Sequence, residues 1–203
     1  MSRGHWAHEE LDMTDVLERL QRALPQASQW IDQLLVDHAP TAAPVSGLGF
    51  VRLAAWFPAS LLAGTKTVLV SKVPFPPVSA YGLPEFEAMA RMPMAGITFR
   101  GMYFVHKSCN LESVHFHELV HIIQWRVLGF DEFLLTYGAG VLQHGYAGSP
   151  LEAMAFELQT QFDRGGAGLP GMADLVTTGA LRARDSAAAA FRALGLSIER
   201  PGR

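Results

Sequence analysis

The segment His117-Glu118-Leu119-Val120-His121 constrains this chain more than any other part of its sequence. On an α-helix, two residues four positions apart lie about 40° apart in azimuth and one turn apart in height. Both imidazoles therefore point to the same side and can hold one metal ion. Glu118 is offset by about 100° from His117, so its carboxylate can reach a water on the metal more easily than the metal itself. The spacing predicts a helix that carries two metal ligands and one general base.

The frequency and the context of this motif both argue against coincidence. Eight histidines in 203 residues, together with the glutamates present, predict roughly 0.02 chance occurrences of the pattern. The motif lies in an amphipathic stretch that we predict to be a helix, with Asn110 as its cap and Gly129 as its stop. A β-branched and aromatic segment, 96–106, precedes it and is predicted to be one strand.

A zinc site of this kind needs a third protein ligand and leaves its fourth position to water. The extended motif with a third histidine is absent, because Gln124 and Val127 stand where it requires Gly and His. His115 is two residues from His117, on another helix face, and is expected to be structural or exposed. The candidates for the third ligand therefore follow the motif in sequence: Asp131, His144, Glu152 and Glu157.

Glu152 is the preferred third ligand, because it opens a helix that we predict over 149–162. Ser149 and Glu152 also match a capping box, which would explain a glutamate here without any metal. Glu157 lies about 140° round the helix from Glu152, so the two are not expected to face one ion.

The remaining segments predict an α+β fold, mostly helical, with a small sheet. We expect a single domain with a helical part at 1–65, a core at 66–163, and C-terminal helices with a tail at 164–203. The Pro-rich segment 73–84 and the Gly-rich segment 138–149 are expected to be the mobile borders of a cleft. The other predicted elements are helices at 14–24 (capped by Thr14), 25–38 (opened by Pro25), 131–137, 172–183 and 185–195, a strand at 66–72, loops at 39–49 and 164–171, and a tail at 196–203.

Composition excludes several classes of protein. Lys and Arg number 16 against 19 Asp and Glu, so no basic field exists and we expect no nucleic-acid partner. Cys109 is the only cysteine, which excludes an intramolecular disulfide and a Cys-rich zinc site. The polar start, 1–10, does not match a signal peptide, and the most apolar stretch, 53–64, is too short to span a bilayer. We therefore expect no membrane span and, by default, a cytoplasmic location.

The run HELVHIIQWRVLGF, then FLLTY, then YxxSPLEAMA resembles the gluzincin zinc metallopeptidases, especially their compact bacterial members, the minigluzincins. The resemblance covers about 96–163. It implies a zincin-like fold with a small sheet beside the HExxH helix and one zinc ion per chain. Its ligands would be His117, His121 and Glu152, with Glu118 as the catalytic base. Thermolysin-type members place an aspartate four residues after the third ligand. Phe156 stands there in this chain, which leaves the partner of a zinc histidine unassigned.

The resemblance implies hydrolysis of peptide bonds in a peptide or protein substrate, which could pair with an exposed edge of the strand 96–106. Glu118 would take a proton from water and pass it to the leaving amine. An oxyanion donor is also needed, and Tyr137, Tyr146 and His144 lie between the ligand helices, with Tyr146 and His144 preferred. The alternatives are a zinc-binding scaffold or interaction protein without turnover, and a helical protein with a coincidental motif.

Overall fold

The computed structural model describes residues 12–166 and 168–198. Most of the predicted tail, from 199 onward, lies outside the described residues, as does the polar start. The part of the tail at 196–198 packs onto the protein, because Ile198 is buried against the hydrophobic core.

The first helix, α1 (Met13–His38), is uninterrupted. The predicted break at Pro25 is wrong: this proline is exposed, where water can replace the backbone hydrogen bond that its ring removes. The predicted cap is also wrong by two residues. Asp12, not Thr14, is the N-cap, and its Oδ1 accepts hydrogen bonds from the backbone N–H groups of Thr14 (3.0 Å) and Asp15 (3.4 Å).

Four strands form one mixed sheet in the order β1-β2-β4-β3. They are β1 (Ala43–Pro44), β2 (Lys66–Val70), β3 (Gly96–Phe99) and β4 (Met102–His106). β2 and β4 are parallel, whereas the pairs β1–β2 and β3–β4 are antiparallel. Strand β2 confirms the prediction over 66–72, and β1 lies inside a segment predicted to be a loop. The sheet confirms the α+β fold.

The prediction of one long strand over 96–106 is wrong, because the chain reverses at Arg100 and Gly101 to form a hairpin. Arg100 takes a left-handed backbone conformation (φ 55°), which is uncommon for a residue with a side chain and suits a tight turn. The reversal places β3 at the edge of the sheet.

Two short helices, α2 (Ala59–Gly64) and α3 (Glu87–Ala90), lie in the segments that lead to the hairpin. The Pro-rich segment 73–84 is irregular, as predicted, except for single 3-10 turns at Val78–Tyr81 and Pro84–Phe86.

The central helix, α4, extends over Glu112–His144 and is interrupted at Gly129 (φ 70°, ψ −170°). The predicted stop at Gly129 is therefore present, but the chain resumes its helix directly. The predicted helix 131–137 continues to His144, so most of 138–149 is not a mobile border. A Cβ at Gly138 would lie 2.5 Å from a methyl carbon of Leu20, so this glycine allows α1 and α4 to come close. Asn110 is not the cap of α4, because Leu111 takes that position.

The last two helices are α5 (Pro150–Asp163), which confirms the prediction over 149–162, and α6 (Met172–Ala193). The predicted division of α6 near residue 184 is wrong: its small residues Ala180 and Ala183 continue one buried face against α4. Leu17 and Leu24 of α1 pack against Leu135 of α4, so the N-terminal helix belongs to the core. No helix in the part of the chain that the structure describes is long and apolar enough to cross a membrane.

Candidate metal centre

Helices α4 and α5 bring three ligand-type side chains to one point. His117 and His121 lie one turn apart on α4, and their Nε2 atoms are 3.1 Å apart. Glu152, in the first turn of α5, places its Oε2 3.3 Å from Nε2 of His117 and 3.5 Å from Nε2 of His121. All three side chains are buried, and together they form a group that could hold a metal ion.

The distances within this group fit a zinc ion. A tetrahedral zinc with bonds of about 2.0–2.1 Å places its ligand atoms about 3.3–3.4 Å from one another, which is close to the three separations observed. Oε2 of Glu152 is buried and forms no hydrogen bond with any residue that the structure describes. A carboxylate oxygen left in this state is costly, and a cation would stabilise it. Two imidazoles and one carboxylate suit zinc, although other divalent ions accept the same ligands.

Glu152 does not act as a helix cap. Its other oxygen, Oε1, accepts a hydrogen bond from the hydroxyl of Tyr137 at 2.6 Å. Ser149 is the N-cap residue of α5 but makes no side-chain capping bond to the described residues. The capping box that the sequence allows is therefore not formed, and both carboxylate oxygens face the interior.

The other three candidates for the third ligand lie elsewhere. His144 and Glu157 are exposed, at the end of α4 and on the outer face of α5. Asp131 lines a different, more polar cavity, beyond the interruption at Gly129. Of the four candidates, all of them in the described part of the chain, the structure brings Glu152 alone to the two histidines.

Two glutamines hold the histidines in place, and sequence reasoning missed both. Nδ1 of His121 lies 2.7 Å from Oε1 of Gln124, whose Nε2 donates to the carbonyl of Leu151 at 3.0 Å. Nδ1 of His117 lies 3.1 Å from Oε1 of Gln159. Because an amide oxygen can only accept, each imidazole donates its Nδ1–H. Its Nε2 atom therefore faces Glu152 and offers a lone pair to a metal ion when it is not protonated.

Helical spacing could have identified Gln159. It lies seven residues after Glu152, which is nearly two full turns along the same face of α5. Phe156, which stands where thermolysin-type members have an aspartate, packs its ring against His117 with the centroids 4.7 Å apart. The contact with Phe156 is therefore one of packing, and the orientation of His117 depends on the glutamine one turn later.

The edge strand β3 positions the expected base. Glu118 is 3% exposed, and its Oε2 accepts a hydrogen bond from Oγ1 of Thr98 at 2.7 Å. Thr98 is itself held by Trp125, whose indole N–H donates to its carbonyl at 3.1 Å. A Cβ at Gly96 would lie 2.5 Å from Oε1 of Glu118, so only glycine at this position leaves the carboxylate where it is.

The electrostatics of the site follow from burial and from mutual contact. Burial raises the pKa of Glu118. Burial alone would also raise the pKa of Glu152, but the imidazoles of His121 and His117 outweigh it and hold this pKa well below its usual range. Burial alone would lower the pKa of His121, but the carboxylates of Glu152 and Glu118 raise it to about 9. Glu152 is thus ionised and needs an adjacent positive charge, either a proton on His121 or a metal cation.

The three expected oxyanion donors are placed differently. Tyr146 lines the cavity at the site, and burial together with the Glu152 carboxylate raises its pKa, so its hydroxyl stays protonated and can donate. Tyr137 already donates to Glu152. His144 is exposed and does not line this cavity. His115 is structural: it is buried, and Nδ1 lies 2.7 Å from the hydroxyl of Tyr103.

A cavity of about 150 Å³ opens onto the metal centre. His117, Glu118, His121 and Glu152 form one part of its wall. The rest of the wall comes from α1, from the segment 75–94 and from β3 and the second half of α4. A molecule that reaches the candidate ligands therefore contacts side chains from the N-terminal helix as well.

Comparisons with known proteins found no match. No protein-family model matches the chain. No curated protein matches it. No solved structure matches it.

Proposed function

We propose that this chain is a zinc metallopeptidase of zincin-like fold that hydrolyses peptide bonds. The observation that carries the proposal is the buried Oε2 of Glu152, which has no hydrogen-bond partner in the described chain and lies 3.3 and 3.5 Å from two histidine Nε2 atoms. A group of this composition and spacing is what a zinc ion requires, and a carboxylate suited to act as a base, Glu118, is adjacent in the sequence.

Glu118 acts as the general base and then as the general acid. Its carboxylate is held by Thr98 on one side and faces the backbone at Gly96 on the other, so it has one orientation towards the cavity. A carboxylate held in this place can take a proton from the attacking water and return it to the leaving amine. When bound, a zinc ion would supply Lewis acidity, which activates water and polarises the scissile carbonyl.

Two further parts of the chain support the substrate. The hydroxyl of Tyr146, which lines the cavity, is the donor that we assign to the charge that develops on the carbonyl oxygen, whereas the hydroxyl of Tyr137 donates to Glu152. The strand β3 (Gly96–Phe99) is at the edge of the sheet and lines the cavity, so an extended peptide can pair with it beside Glu118.

Metal analysis tests the first half of the proposal. Protein purified without a histidine tag should contain about one zinc per chain, and His121→Ala and Glu152→Ala should each lose it. Glu157→Ala is the matched control, because it removes an exposed glutamate from the same helix and should keep the metal. An unloaded wild-type protein that takes up no zinc when the ion is added back would refute the proposal.

A peptide library tests the second half. The zinc-loaded wild type should cleave, whereas Glu118→Gln should keep its zinc and lose at least about 100-fold in kcat/KM, because its amide cannot accept the proton. A protein that binds one zinc per chain but cleaves no member of the library would be a zinc-binding scaffold instead. Cleavage that survives Glu118→Gln unchanged would remove this residue from the mechanism.

A further inference from the structure

The cavity at the metal centre has two chemically different parts. All of its charged side chains belong to the candidate site. The remainder, which we call the apolar chamber, is formed by hydrophobic side chains of α1, of the segment 75–94, of β3 and of α4, with Leu20, Ala23, Leu24, Ala27, Phe75 and Phe86 as representative members. Water inside such a chamber finds few hydrogen-bond partners, so an apolar group is its favoured occupant.

We propose that the apolar chamber binds one neutral apolar side chain of the substrate, of about the size of phenylalanine, leucine or methionine, beside the bond to be cleaved. This inference rests on the proposed function and names its substrate class. The whole cavity, its metal end included, has a volume of about 150 Å³, which is similar to that of a cavity that holds one benzene-sized group. A charged side chain would lose its hydration there without gaining a free partner, because the carboxylates at the chamber's end, Glu118 and Glu152, already accept hydrogen bonds from Thr98 and Tyr137.

Helix α1 forms one wall of the chamber. Ala23 and Ala27 lie one turn apart on the face that lines it, and Ala23 is only 4% exposed. Leu20, one turn earlier, lies against Gly138 of α4 and closes the wall between the two helices. Larger side chains at positions 23 or 27 would project into the space that we assign to the substrate. Because α1 lies outside the segment that resembles the gluzincins, this restriction is a property of the chain's own N-terminal helix.

Cleavage by the zinc-loaded full chain provides the first test. In a library that varies the residues on both sides of the cleaved bond, one position should favour Phe, Leu or Met over Gly, Asp or Lys by about 10- to 100-fold in kcat/KM, as burial of one such side chain allows. Ala23→Leu should remove most of this preference while the zinc content stays the same. Gln26→Leu adds the same side chain to an exposed position of α1 and should change nothing.

Binding of toluene provides a second test that needs no turnover. Toluene should raise the melting temperature of the wild type and of Gln26→Leu, but not that of Ala23→Leu, whose added side chain fills the chamber. Ala27→Leu, at a half-buried wall position, serves the same purpose if Ala23→Leu fails to fold.

The outcomes separate this inference from the proposed function. Cleavage without an apolar preference, or toluene binding that persists in Ala23→Leu, overturns the inference and leaves the peptidase proposal in place. If no peptide is cleaved but toluene binding is blocked by Ala23→Leu, the assignment of a substrate side chain fails together with the peptidase proposal, and the chamber is an apolar binding site of another kind.

Discussion

The substitution Gln124→Leu tests whether the metal centre depends on the glutamine behind His121. Gln124 is fully buried, accepts from Nδ1 of His121 at 2.7 Å and donates to the carbonyl of Leu151 at 3.0 Å. A leucine of similar size removes both hydrogen bonds but keeps the volume filled. It thus isolates the effect of orienting the imidazole from the effect of a cavity.

Two separate magnitudes follow from this geometry. The N–H of His121 and the carbonyl of Leu151 lose buried partners, and each loss costs about 1–3 kcal/mol, so the free energy of unfolding of the metal-free protein should fall by about 2–6 kcal/mol. The imidazole also loses the acceptor that fixes its tautomer. Removal of such an outer partner weakens metal binding by about 10- to 100-fold, or about 1.4–2.7 kcal/mol.

Competition with a chelator of known zinc affinity measures the second quantity, and urea unfolding of the metal-free protein measures the first. Gln143→Leu is the matched control, since it makes the same change at an exposed position of the same helix and should alter stability by less than about 0.5 kcal/mol. Gln159→Leu tests the corresponding contact with His117 from the half-buried face of α5.

A folded Gln124→Leu protein that binds zinc as tightly as the wild type would refute this reasoning. It would mean that packing alone orients His121. If Gln124→Leu does not fold, unchanged zinc affinity in Gln159→Leu would carry the same conclusion for the other histidine.

Two further predictions concern neighbouring groups. Tyr137→Phe removes the hydroxyl that donates to Oε1 of Glu152 at 2.6 Å, and it should weaken zinc binding by about tenfold in the same competition assay; unchanged affinity would show that the carboxylate needs no such partner. Burial lowers the pKa of His115 to about 4, so the unfolded chain binds a proton there first as the pH falls below 6.5. The stability that His115 contributes should therefore be complete above pH 6.5 and should fall by about 3 kcal/mol towards pH 4. His115→Gln should show a smaller loss in urea unfolding at pH 7.5 and 4.5, and an equal loss would contradict the assignment.

The site residues that the sequence predicted are those whose relative directions follow from the repeat of one helix. His117, Glu118 and His121 are local to one helix, and their relative directions follow from 3.6 residues per turn. Glu152 could be ranked above the other candidates because it begins a helix, and the structure places it at the histidines. The choice between ligand and cap, however, depended on the hydrogen bond that Glu152 accepts from Tyr137 of α4, a contact between two helices that the local sequence does not reveal.

The errors in the predicted fold arise where the local sequence pattern does not determine the structure that the whole chain adopts. Pro25 favours a new helix, but the apolar face of α1 continues past it from Leu24 to Ile31, both buried, and keeps the helix whole. The segment 96–106 has the composition of a strand throughout, so neither composition nor alternation indicated the reversal at Arg100. A turn whose first residue is an arginine in the left-handed region has no sequence signal comparable to Asn-Gly.

The hairpin that the sequence did not reveal explains why Glu118, the base that we propose, is held in a fixed position. One continuous strand over 96–106 would not reverse its direction. The observed reversal creates β3 and places Thr98 and Gly96 against the two oxygens of Glu118. Most buried polar groups near the site then find a partner. Among the described residues, Oε2 of Glu152 is the only buried carboxylate oxygen without a hydrogen bond. Protein interiors keep such a departure chiefly where function requires it, and here it coincides with the point that two oriented imidazoles face. The fold thus satisfies the groups around the candidate metal position and leaves Oε2 of Glu152 to the cation that we propose.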